Sequence, residues 1–413
     1  MSRSILFLVF FICTSLHCFG QQPPVLGFSL ADGKTKVTIP IEINNNLIVV
    51  PVVLNGALPL KFILDTGVRT SILTQKTFTD ILNLPYSRKY TISGPGGEKL
   101  VDAYVTNNVS LELPGVIGRG HALLVLEEDY LELRNYMGMD VHGILGYELF
   151  SRFIIEIDYQ KKLLTLMLPE RFKMKRKFQR IPIRIEDTKP YITTPVVLSD
   201  GTQFTAKLLM DSGASHGLML DPQSDTRITI PTRVLSSVIG RGLGGVITGK
   251  IGRVKTLFMG THELNDAIVS LPDPNSYFDS LKMGSVPRNG TIGGETLSRF
   301  TVVFNFPKEE IYLKKNNAFK KGFHYNLSGL NVKAKGSKLN VFEITEVREQ
   351  SAAHRAGVSE GDLIVSINGV PSSQINLAIL NAFFNLRPGK KIHLTLDRKG
   401  QKIRKDFRLE DQI

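Results

Sequence analysis

Cysteine is almost missing from this chain. Its 413 residues hold two, Cys13 and Cys18, both within the first twenty positions. A disulfide-stapled miniprotein is therefore excluded, and thiol chemistry goes with it if that segment is removed. Past residue 20 no apolar run nears the roughly 18–20 residues that a membrane-crossing helix needs, which excludes an integral membrane protein built on such helices. Metal and nucleotide signatures are equally scarce. His121, His142, His216, His262, His324, His354 and His393 show no HExxH or other ligand spacing, and no P-loop, dinucleotide fingerprint or EF-hand loop occurs. No metal and no cofactor is expected. Acidic residues are outnumbered, 38 against 51 Lys plus Arg, for a formal charge of +13. At 42% hydrophobic the chain is too apolar for disorder and too long for one ordinary domain, so two or three packed units are expected.

The first twenty residues read as an export leader. Arg3 precedes the apolar run Ile5 to Cys13, which fades into small and polar residues. Cys18 and Gly20 supply small side chains for cleavage before Gln21. His17 stands where a lipoprotein box wants a small residue, so lipidation is the weaker reading. The expected mature protein is exported, periplasmic or secreted, without cysteine, and has to rest on the core that roughly 390 residues can bury.

The most informative pattern is internal. Pro51-Val52-Val53-Leu54 leads to Phe62-Ile63-Leu64-Asp65-Thr66-Gly67, and the phrase recurs as Pro195-Val196-Val197-Leu198 leading to Leu208-Leu209-Met210-Asp211-Ser212-Gly213. Downstream, Gly143-Ile144-Leu145-Gly146 is answered by Gly290-Thr291-Ile292-Gly293. The interval from Asp to the first Gly is 78 residues in one copy and 79 in the other. Chance does not hold two phrases in register over that distance, so the chain is a duplication. Both copies are rich in short β-branched runs broken by Asn-Gly, Gly-Gly and Pro-containing turns, which predicts strands. The best helix candidate in the first copy is Leu126 to Met137. Between the copies, six of the ten residues Arg171 to Arg180 are Lys or Arg. A solvated linker explains that run, and no aromatic interleaving points to nucleic acid.

Each Asp follows three apolar residues and precedes a hydroxyl and a glycine. A carboxylate at the end of a core strand needs hydrogen bonds, which backbone N–H groups and the Thr66 and Ser212 hydroxyls can supply. Gly67 and Gly213 let the chain pass close to the acid. If approximate twofold symmetry brings both turns together, the acids titrate as a pair sharing one proton. A second glycine cluster follows each Asp: Ser93, Gly94, Gly96 and Gly97 in the first copy, Gly240 and Gly242 in the second. Each is either an ordinary hairpin or a flap that closes over substrate and excludes water.

These motifs resemble the retropepsin and pepsin group of aspartic peptidases, over about residues 25 to 320. The resemblance implies a mainly β, bilobal acid-protease fold and a cleft for an extended peptide. It implies catalytic roles for Asp65 and Asp211, with Thr66, Gly67, Ser212 and Gly213 supporting their turns. Two features depart from the pattern: Val68, which brings no hydroxyl, and Arg69, expected to point outward because arginine is rarely buried unpaired.

From about residue 323 the character changes. Ala356-Gly357-Val358, Gly361-Asp362-Leu363-Ile364 and Ile367-Asn368-Gly369, with a helix expected over about Ser373 to Leu386, resemble a small α+β PDZ domain of the bacterial type. Such domains receive a peptide as an added strand. The corresponding loop is Ser328-Gly329-Leu330-Asn331, open to capturing a protein C-terminus or extended strand, or to a structural or dimerising role. The expected organisation is a leader over 1–20, lobes over 21–170 and 181–320 joined by the linker 171–180, and a PDZ domain over 321–413. The expected function is an aspartic endopeptidase acting on peptide or protein in the interlobe cleft. The alternative is an exported peptide-binding protein that kept the fold without turnover. An independent PDZ module is expected to recruit substrate without altering the chemistry; the alternative is a tail that packs across the cleft or regulates it.

Overall fold

The computed structural model describes residues 26–92, 94–96, 100–274 and 286–413. The expected leader lies outside the described residues, as do Ser93 and Gly97. The chain is mainly β, with two large sheet-built lobes and a small α+β domain. Among the described residues no helix is long and apolar enough to cross a membrane.

In the first lobe the strands Leu47–Leu54 and Leu58–Leu64 form a hairpin whose apolar residues are buried on both faces. Its three-residue turn, Asn55-Gly56-Ala57, puts Asn55 and Gly56 at positive φ (50° and 67°), and the Ala57 N–H closes it on the Leu54 carbonyl at 3.1 Å. The strand Gly143–Leu145 then enters parallel to Leu58–Leu64, with Leu145 opposite Leu64. The long pair Val101–Leu113 and Val116–Leu126 closes the sheet by joining Leu47–Leu54 on one side and Ile72–Leu73 on the other. The second lobe repeats the plan. Gly290–Ile292 runs parallel to Gln203–Met210, with Ile292 opposite Met210.

A third sheet belongs to both lobes. Its order is Gln179–Pro182, Glu310–Lys315, Phe300–Asn305, Ile154–Asp158, Leu163–Met167 and Lys36–Pro40. The two central strands follow equivalent phrases of the duplication, and they pair antiparallel across the lobe boundary, Ile157 opposite Val302. Above them Phe150 of the first lobe stacks on Phe306 at 5.2 Å and meets Phe304 edge-on at 5.7 Å. One apolar core therefore runs through both lobes, while the PDZ domain has its own around Phe342, Ile344, Leu380, Phe384 and Leu394.

Three local expectations are corrected. Leu126 ends a strand, and within the expected stretch only Leu133–Met137 is helical. Glu127, Glu128, Asp129 and Glu132 put like charges at helical spacing, and Glu132 takes a left-handed φ of 47° that stops the helix there. The basic run is not all linker, because Phe178 is buried and Gln179 and Arg180 already lie in a strand. The PDZ helix is Leu377–Phe384, shorter than expected at both ends, and is capped by Asn376, whose side chain accepts from the Ile379 N–H at 2.9 Å.

Candidate active site

The two Asp turns sit at the lobe interface and lock each other. Thr66 Oγ1 donates to the Met210 carbonyl (2.6 Å) and accepts from the Ser212 N–H (3.0 Å). Reciprocally, Ser212 Oγ donates to the Leu64 carbonyl (2.8 Å) and accepts from the Thr66 N–H (3.1 Å). Both hydroxyl residues are fully buried. Four buried backbone groups thus find their partners across the pseudo-twofold, and the turns are fixed relative to one another. From behind, the Asp65 N–H donates to the Leu145 carbonyl (2.9 Å) and the Asp211 N–H to the Ile292 carbonyl (2.8 Å). This is why the distal glycine phrases keep register with the acids.

Gly67 and Gly213 hold the carboxylates. Their N–H groups donate to Asp65 Oδ1 (2.6 Å) and Asp211 Oδ1 (2.8 Å). A Cβ on Gly67 would lie 3.0 Å from Asp211 Oδ2 and 3.1 Å from Asp65 Oδ1. A Cβ on Gly213 would sit 2.1 Å from Asp65 Oδ2. Each glycine therefore lies against the acid of the opposite lobe. Burial, and next the charge of Asp211, hold the Asp65 carboxyl well above the usual carboxylate range, with Lys189 acting weakly the other way.

The departures from the family pattern have structural explanations. Val68 uses its carbonyl to accept from the Tyr147 N–H (2.9 Å) and its side chain to pack beside Ile72 and Ile144. Arg69 turns to solvent, 3.7 Å from Asp187 of the second lobe. Burial pushes the His216 imidazole below its usual range, against the pull of the Asp211 charge. His142 accepts from the Lys61 N–H (3.0 Å) and is likewise pushed down by burial.

Gly94 and Gly96 of the first cluster, and Gly240 and Gly242 of the second, lie at or beside hairpin tips. The first hairpin is Arg88–Ile92 with Val101–Leu113, and the second is Leu235–Gly242 with Gly245–Arg253. The tips touch: the Gly244 N–H donates to the Pro95 carbonyl at 3.0 Å. A Cβ on Gly96 would lie 2.1 Å from the Gly245 carbonyl oxygen, and one on Gly242 would lie 2.1 Å from that of Pro95. Gly96 and Gly245 also hold φ of +111° and +127°, open only to glycine. Leu243, at the second tip, packs into the first-lobe cluster that contains Val68 and Ile144. Leu243 and Pro95 escaped the reading of the sequence, where the only signal was an apolar residue bracketed by glycines.

The aspartyl protease family model matches residues 50–149 and 194–296, one segment in each lobe. The two lobes belong to the aspartyl protease family. A PDZ domain model matches residues 343–398. No curated protein matches the chain significantly. In this aspartyl protease architecture the loop Ser328–Asn331 leads into the PDZ strand Leu330–Lys335. Its donors are engaged internally: the Ser328 N–H donates to Asn326 Oδ1 (3.0 Å) and the Leu330 N–H to Ser328 Oγ (3.1 Å).

Proposed function

We propose that the chain is an exported aspartic endopeptidase, periplasmic or secreted, in which Asp65 and Asp211 share one proton and activate water between them. The observation that carries this reading is the reciprocal lock of Thr66 and Ser212, which sets each glycine-cradled acid against the glycine of the opposite turn. With one proton on the pair, the charged carboxylate takes a proton from water as its oxygen attacks the scissile carbonyl carbon. The protonated carboxyl gives its proton to the carbonyl oxygen, forming a tetrahedral diol. Collapse then breaks the C–N bond, with a proton passed to the leaving nitrogen. The paired hairpin tips are the elements that cover an extended peptide and exclude water. The PDZ domain serves substrate or partner binding, of a protein C-terminus or an extended strand.

The test is hydrolysis of a diverse peptide mixture from about pH 3 to 8 by the wild type, Asp65→Asn and Asp211→Asn. Loss of cleavage in both variants supports the reading, since acid–base catalysis contributes about 10²–10⁴-fold. Peptide binding without cleavage by the wild type would instead identify a binding protein that kept the fold.

A further inference from the structure

The PDZ domain does not hang free. Its edge strand Leu330–Lys335 packs against the first-lobe helix Leu133–Met137. Lys333 Nζ lies 3.3 Å from the Glu132 carboxylate, and Arg134 donates to the Ser337 carbonyl at 2.8 Å. Gly138 abuts Leu377, the first residue of the PDZ helix, so closely that a Cβ there would lie 2.5 Å from that of Leu377. The same domain grips the second lobe. Glu346 Oε1 accepts from the Val238 N–H (3.0 Å) and from Ser237 Oγ (3.1 Å), and its Oε2 accepts from the Asn331 side chain.

Ser237 and Val238 stand in the outer strand of the second flap, at the edge of its sheet. The ladder of that hairpin is interrupted just beyond Val238, where the register shifts before Gly240. Glu346 thus supplies a fixed acceptor where the flap is weakest in its own hydrogen bonds. Ser237 is buried, and Tyr325 beside it carries the Arg348 guanidinium over its ring at 4.8 Å. Farther up the strand, Arg241 donates to Tyr136 of the first-lobe helix (2.9 Å), whose ring also faces Lys333.

We propose that Glu346 is a positioning residue for the second flap, so that the PDZ domain sets how readily the cleft opens. The consequence for the cleft rests on the endopeptidase reading; the restraint on the flap does not.

The test uses the full chain and two readouts. In hydrogen exchange, Glu346→Ala and Glu346→Asp, which is one methylene too short to reach, raise exchange at Ser237–Gly242 by about tenfold or more. The interlobe strand Ile154–Asp158 keeps wild-type protection, and Glu346→Gln, which retains an acceptor oxygen, restores protection of the flap. With a short peptide, Glu346→Ala raises KM about threefold or more while kcat changes less than about twofold, and Glu346→Gln behaves as wild type. Unchanged exchange at Ser237–Gly242 in folded Glu346→Ala and Glu346→Asp overturns the proposal. So does loosening that Glu346→Gln shares, or a KM that does not move in an active enzyme. A wild type without peptidase activity whose flap exchange still responds as expected overturns the endopeptidase reading and leaves Glu346 as the restraint on the flap.

Discussion

At the scale of single residues, the site is defined by what two glycines and two acids leave no room for. Gly213→Ala drives a methyl to 2.1 Å from Asp65 Oδ2, so the acid has to move. A displacement near 1 Å costs about 100-fold in kcat, and single-turnover hydrolysis reads it directly. The rate against pH is expected to be bell-shaped, its limbs belonging to the pair. Because burial and the neighbouring charge raise the Asp65 carboxyl, the alkaline limb lies above the ordinary carboxylate range. Glu295 provides a separate test on stability. Burial pushes it up to about 7, outweighing Arg299, whose guanidinium is 3.6 Å away. A folded carboxyl with a raised pKa binds more protons than the unfolded one, so stability falls as pH rises from 4.5 to about 7. Glu295→Gln removes that part of the fall and is more stable than wild type above pH 7, read by calorimetric Tm across the range. Arg299 stays bonded in the variant, to the Ala318 (3.2 Å), Lys321 and Gly322 (3.2 Å) carbonyls.

Among elements, the lock between the turns and the contact between the hairpins do separate jobs. Thr66→Ala leaves the Met210 carbonyl and the Ser212 N–H without their partner in a buried site. Two such groups at about 1–3 kcal/mol each predict a loss of roughly 2–6 kcal/mol in unfolding free energy. Denaturant titration measures it, activity falls in parallel, and Thr66→Ser recovers both. The hairpin tips lie outside the large core that runs through both lobes and reach only the smaller cluster around Ile72 and Ile144. Gly96→Ala meets both a forbidden φ and the Gly245 carbonyl, so the tips part. The expected outcome is a higher KM for short peptides with Tm nearly unchanged, since contacts at the tips bind ground and transition state alike.

For the whole molecule, the PDZ domain is a third support of the cleft. The chain end returns to the lobes: Ile413 and Phe323 are buried in the lobe core, and Arg253 contacts the Asp411 carboxylate at 3.6 Å. This departs from the independent module expected of the tail. Truncation near residue 320 removes two buried side chains worth about 1.5–3 kcal/mol each. It also strips Glu346 from the second flap. The truncated protein is expected to melt lower and to show a raised KM on short peptides, where a free recruiting module would leave both unchanged. Calorimetry and steady-state kinetics on full-length and truncated protein decide between them.

The duplication determined a great deal. Parallel pairing of Leu64 with Leu145 and of Met210 with Ile292 requires an apolar strand, a sharp turn and a distal glycine phrase at a fixed interval, and each leaves a mark in the chain. The Asp turns, the two hairpins and the PDZ phrases were legible for that reason: local conformation demands particular residues. Only the tertiary structure decided which surfaces meet. Ile154–Asp158 and Phe300–Asn305 read as equivalent strands of the two copies, and nothing in the sequence says that they pair with each other across the lobes. Glu346 reads as one more solvated strand glutamate until the fold sets Val238 against it. Contacts between segments about a hundred residues apart follow from shape and charge brought together by folding, and neither has a period that a single sequence displays.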